Sequence, residues 1–363
     1  MRNYFVAFSL ASLFACSQTV THPLPTDHFV APKNSKWFAD SPQPQPFSIE
    51  GCRARISDVI CLVEPEVPGD TAPRACIQGV DLSPAINSLQ TIYDNYPEAL
   101  QKVFCTLSHI YLEKKSVGTA YAGSSGDGSM AVLGFRAELL LEPTPSLSKW
   151  VSWKEQLNFG GAKDYTTRED LVKIEASTTL AAPASDFVYY VIAHEFGHVL
   201  DFKYKVNDWI CNDASDECEP RPGSWNALSW AKSYPKLEPT VQDPWGLMAW
   251  IPSATSSFEH RDELCFYACA DDHGSPALML PLYTNIMKVN FLTTYSSTNS
   301  WDDFAETVAF YAGTRYINLN YAVTLPDGTR FDLVDKYKND PVFRSKRDWV
   351  ENFFKKLENP PQP

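Results

Sequence analysis

From Phe187 to Leu200 the chain is apolar almost without a break, interrupted by polar side chains only at His194, Glu195 and His198. The run is too long for a strand, so it predicts a helix buried over most of its surface. Pro183 and Ser185-Asp186 give the start, with Asp186 suited to the positive end of the helix dipole, and the pattern fades by Lys205. The expected span is 185–204. A second helical pattern begins near Asn299 or Ser300, either of which can cap it, and carries a stripe of Phe304, Val308 and Tyr311.

Ahead of the apolar helix the periodicity changes. Ser83-Pro84 opens a helix running through Tyr96, and Pro97-Glu98 opens another turn to about Val103. Residues 104–112, 119–123 and 130–141 read as strands, the last two separated by a turn over 124–128, and 173–177 adds another. The tail over 341–357 predicts an amphipathic helix that buries Phe343, Trp349, Val350 and Phe353 and leaves Lys346, Arg347, Lys355 and Lys356 on a solvated face. Strands followed by a buried helix predict an α+β domain whose sheet roofs a cleft, with an edge strand available to an extended peptide.

Residues 1–15 carry one early positive charge and an apolar run too short to span a bilayer, which is the pattern of an export signal. Leu13-Phe14-Ala15-Cys16 resembles a bacterial lipobox, and by that likeness Cys16 carries a lipid. Residues 16–50 are rich in Pro, Ser and Gln and predict an extended tether. The segment between Cys52 and Cys76 reads as a loop that disulfides could staple. Setting Cys16 aside, eight of the nine cysteines remain, an even number in an exported chain. The four early ones are expected to pair among themselves, as are the four late ones. The alternative for Cys211, Cys218, Cys265 and Cys269, with His260 and His273 nearby, is a structural zinc.

The formal net charge of −13 excludes nucleic acid as a natural partner, because phosphate binding needs a basic surface. No second apolar run spans a bilayer, so membrane attachment comes only through the N-terminal lipid, at the cell surface or in the periplasm.

The chemistry lies in His194-Glu195-Phe196-Gly197-His198. Residues four apart share a helix face, so both imidazoles can bind one Zn2+, while Glu195 can take a proton from an attacking water. Two histidines and a glutamate on a buried helix need partners, and a metal supplies one. A third ligand is expected from an acid on the second helix, where Asp302 and Glu306 are also four apart. The other acid can orient a ligand histidine.

This helix, followed by Asp201, resembles the zinc helix of the anthrax lethal factor family, which includes secreted Pro-Pro endopeptidases. The segment from Tyr295 to Glu306, YSSTNSWDDFAE, resembles that family's Y-x-x-T-N-x-x-E-F-F-A-E. The resemblance implies a zincin-like metallopeptidase over 51–363, with Asp302 as third metal ligand, Glu306 beside the ligands and Tyr295 polarising the scissile carbonyl. Asp302 stands where the family has Glu. Either its helix sits closer to the metal, or Glu306 ligates instead. Asp201 is a further candidate for bracing a ligand, or only a helix-end residue.

The expectation is an exported zinc endopeptidase, a monomer acting on peptides or proteins. Its small mixed sheet would pack on the metal helix, and residues 205–294 would form a disulfide-stapled helical insertion rich in Cys and Trp. The tryptophans there are expected to build a subcore rather than a substrate platform. The alternatives are a surface lipoprotein that keeps the site for binding with little turnover, and a zinc hydrolase of cell-wall peptides.

Overall fold

The computed structural model describes residues 30–31, 44, 46–64, 74–114, 119–125, 128–141, 146–162, 166–181, 185–212, 217–235, 248–266 and 274–359. The expected export signal, Cys16, most of the expected tether, Trp245, Cys269 and His273 lie outside them.

In chain order, β1 (Val30–Ala31) precedes α1 (Ile49–Val59), β2 (Ile60–Val63), α2 (Ser83–Asp94), α3 (Glu98–Thr106) and β3 (Leu107–Glu113). Then come β4 (Ala120–Ser125), β5 (Ala131–Arg136), α4 (Glu138–Leu141), α5 (Leu147–Gln156), β6 (Lys173–Ser177) and α6 (Asp186–Tyr204). β7 (Trp209–Cys211), β8 (Cys218–Pro220), β9 (Trp230–Pro235), β10 (Met248–Pro252), α7 (Met279–Ile286) and α8 (Ser300–Tyr316) follow. The chain closes with β11 (Asn320–Thr324), β12 (Arg330–Asp332), α9 (Leu333–Asn339) and α10 (Arg344–Glu358).

The fold is mixed α+β. One sheet has the order β1-β4-β5-β3-β2, with β3 parallel to both β2 and β5, and β4 antiparallel to β5. Its β4 strand packs against α6, so a small mixed sheet does cover the apolar helix. At the edge, Val30 and Ala31 pair in parallel with Ser124 and Ser125, which fixes two residues of the expected tether onto the domain. A second sheet, β12-β11-β6, is antiparallel.

Several sequence expectations need correction. Residues 104–106 belong to α3, and the strand starts at Leu107. Cys105 thereby faces α1 and bridges to Cys52. The strand expected over 130–141 ends at Arg136, because Glu-Leu-Leu-Leu is a run of helix formers and folds as α4. In the segment after Cys52, helix and strand run through Val63, and its disulfides are Cys52–Cys105 and Cys61–Cys76.

The insertion over 205–294 is also not chiefly helical. Its main element is the antiparallel sheet β10-β9-β8-β7, with α7 as its one α-helix among the described residues. The runs are short, end at Pro220, Pro235 and Pro252, and alternate in and out, as in buried Trp250 beside exposed Ile251. Cys211 and Cys218 face each other in register and are disulfide-bonded, and Cys265 is disulfide-bonded too, which removes the structural-zinc alternative. Trp209, Trp225, Trp230 and Trp250 are buried, so they form a subcore. Trp250 packs edge-on against Trp301, and Trp225 against Phe304, which seats the insertion on α8.

Candidate metal centre

Two helices meet to build the site. α6 spans Asp186–Tyr204 as the apolar pattern predicts, and every residue from Phe187 to Asp201 is buried. Asp186 Oδ1 accepts from Phe187 N and Leu147 N, which fixes the helix start against α5. α8 is capped by Asn299, whose Oδ1 accepts from the backbone N–H groups of Trp301 and Asp302. The two helices touch at Gly197. An ideal Cβ there would stand 2.6 Å from Ala305 Cα, so only glycine permits this approach.

That contact brings Asp302 to the histidines. His194 Nε2 lies 3.2 Å from His198 Nε2, and Asp302 Oδ1 lies 3.3 Å and 3.4 Å from the two nitrogens. The three side chains form the one group of metal-capable residues among those described. In a tetrahedral zinc site the edge between ligand atoms is 1.63 times the bond length, or about 3.3 Å for bonds of about 2.05 Å. The observed triangle has that size, so these donors fit one face of such a site. Of the two acids, Asp302 is the one that stands with both imidazole nitrogens, on a helix that lies close.

Glu306 stands on the other side of the ring. Its Oε1 is 3.0 Å from His194 Nδ1, and its Oε2 accepts from Tyr190 Oη at 2.9 Å and Thr293 Oγ1 at 3.0 Å. It orients His194 and does not share the triangle. Asp302 is held likewise, its Oδ2 accepting from Asn299 Nδ2 at 2.7 Å. Asp201 accepts from Asn207 N, and Asn207 Nδ2 donates to Ser300 O. It therefore braces the end of α6 against the start of α8.

Burial governs the charges. It works against the imidazolium of His194, but hydrogen bonds to Asp302 and Glu306 outweigh it and raise the group to about 10. Burial also opposes ionisation of Asp302, yet the hydrogen bonds and charges of both histidines hold it well below the usual carboxylate range. Three facing acceptor atoms thus attract a proton or a cation. Glu195 is pushed up by burial against the pull of both histidines, and its Oε2 is buried with no hydrogen-bond partner among the described residues. A buried carboxylate oxygen without a partner, next to a triangle of donors that could hold a metal ion, is free to accept a hydrogen bond.

Tyr295, in a 3-10 turn over Tyr295–Ser297, stands with its ring centre 5.7 Å from that of His194. It lines the same cleft as His194, Glu195 and Glu306. Of the residues singled out in the sequence, His194, Glu195, His198, Tyr295, Asp302 and Glu306 therefore converge.

Sequence reasoning missed α5, which supplies Lys154 and Glu155 to the cleft. Glu155 is raised by burial, against hydrogen bonds from Thr294 and Tyr283. The signal was present: Leu147, Val151 and Glu155 recur every four residues behind Ser146, which caps the helix by accepting from Lys149 N. Among the described residues no helix is long and apolar enough to cross a membrane. Comparison with family models, curated proteins and solved structures finds no match for the chain.

Proposed function

We propose that the chain is a zinc-dependent peptidase of zincin-like architecture, akin to the lethal factor and Pro-Pro endopeptidase family. The observation that carries this reading is the tetrahedral-sized triangle of His194, His198 and Asp302 beside the unpartnered Oε2 of Glu195. Two imidazoles and a carboxylate suit Zn2+, leaving a position open to water and substrate. When bound, the ion would supply Lewis acidity to a water and to a peptide carbonyl.

The protein's own groups do the rest. Glu195 accepts the proton of the attacking water and delivers it to the leaving amine. Tyr295 donates its hydroxyl proton in a hydrogen bond to the carbonyl oxygen as negative charge grows there. Glu306 keeps the His194 proton on Nδ1, so that Nε2 presents its lone pair. The apolar leader, Cys16 and the disulfides support export and attachment through a lipid.

The test is Glu195→Gln. Metal content should stay at that of the wild type, while cleavage of an unbiased peptide mixture falls by several orders of magnitude. Equal turnover in the variant would remove Glu195 as the base. A wild-type chain that holds zinc and cleaves no peptide would leave a binding protein instead.

A further inference from the structure

We propose that Lys154 is a positioning residue for Tyr295: its ammonium, seated on the ring face, fixes the phenol at the metal centre and strengthens its hydroxyl as a hydrogen-bond donor. The inference rests on the reading of Tyr295 as the group that polarises the carbonyl.

Lys154 Nζ lies 3.4 Å from the Tyr295 ring centre, well inside the range of a cation–π contact. The same ammonium faces Trp150 at 5.2 Å and Phe266 at 5.8 Å, so three aromatic rings gather around one charge. Phe266 in turn meets Tyr295 edge-on at 5.0 Å, which closes the box from the side. Trp150 and Lys154 are four residues apart on α5, so the helix presents both to the cleft together.

A cation over the ring draws π density toward itself and leaves the O–H more polar, which suits a donor that meets growing negative charge. Anchoring an acidic group of the substrate is the less favoured role. Glu155, Glu195 and Glu306 line the same cleft, and an incoming carboxylate would face all of them.

The test uses the zinc-loaded full chain. Binding of a phosphinic peptide, which carries a tetrahedral anionic centre, is measured by calorimetry beside acetohydroxamic acid, a small metal-binding group. Lys154→Met keeps the side chain's length without its charge. It should weaken the phosphinic peptide about tenfold, leave acetohydroxamic acid and zinc affinity unchanged, and lower kcat at constant KM. Lys154→Arg should recover most of the loss. In a Tyr295→Phe background Lys154→Met should add nothing further. Equal phosphinate affinity in Lys154→Met and wild type overturns the proposal, as does an undiminished effect in the Tyr295→Phe background. Absence of peptide turnover with the phosphinate pattern intact counts against the peptidase reading alone. A wild-type chain that binds no phosphinate overturns both.

Discussion

Gly197 and Ala305 hold α6 and α8 at backbone contact, with only 2.6 Å between the point where a Gly197 Cβ would sit and Ala305 Cα. The separation decides the chemistry, because Asp302 has a short side chain and reaches the histidine nitrogens only if its helix lies this close. Gly197→Ala is therefore expected to force α8 outward. Overpacking of this kind costs about 1–3 kcal/mol, read as a lower denaturation midpoint. Zinc affinity should fall in the same variant, since the Asp302 corner moves away from the imidazoles. Unchanged zinc affinity alongside lost stability would separate the helix contact from the metal site.

A buried ion pair fixes the far side of α8. Lys346 Nζ sits 2.6 Å from both carboxylate oxygens of Asp303, and neither side chain has any exposure. Lys346 was expected on a solvated face, and the structure corrects this: it crosses from α10 to α8, beside Trp230, whose Nε1 donates to Asp303. Burial raises Asp303 to about 6, against the pull of Lys346, and lowers Lys346 to about 8, against the pull of Asp303. Lys346→Met strands a buried carboxylate and should cost about 3–5 kcal/mol in urea unfolding. Adding Asp303→Leu should recover most of that loss. A double variant as unstable as the single one would show that the pair itself is strongly favourable.

The metal centre predicts an opposite pH response with and without zinc. His194 has a folded pKa of about 10 against 6.5 for the free group, so without metal its contribution to stability is complete below pH 6.5. It is lost as pH rises toward 10, because the folded state then gives up a proton the unfolded chain has already released. Zinc requires the unprotonated Nε2, so its stabilisation grows over the same interval. The Tm of the metal-free protein should fall between about pH 6.5 and 9, and saturating zinc should flatten or reverse that slope. Parallel pH profiles in the two states would disconnect His194 from the metal.

The site was legible because its chemistry is local in sequence. Spacing of four placed both imidazoles on one face, and the Asn299 cap and the Asp302–Glu306 pair were readable in the same way. Which acid joins the two histidines was not readable, since it depends on the depth of the Gly197 contact, a property of two helices about a hundred residues apart. The insertion was misjudged because its strands are only three to six residues long, and Trp and Cys spacing does not distinguish a small sheet from packed helices. Lys346 was misassigned because a charged residue on an amphipathic helix is solvated by default. Only the partner Asp303 reveals otherwise, and it lies 43 residues away.

The most direct measurement is anomalous X-ray scattering at the zinc edge from crystals of the zinc-loaded chain. The expected result is a single ion bonded to His194 Nε2, His198 Nε2 and Asp302 Oδ1 at about 2.0–2.2 Å, lost in His198→Ala. An ion bound elsewhere, or none near these three atoms, would contradict it.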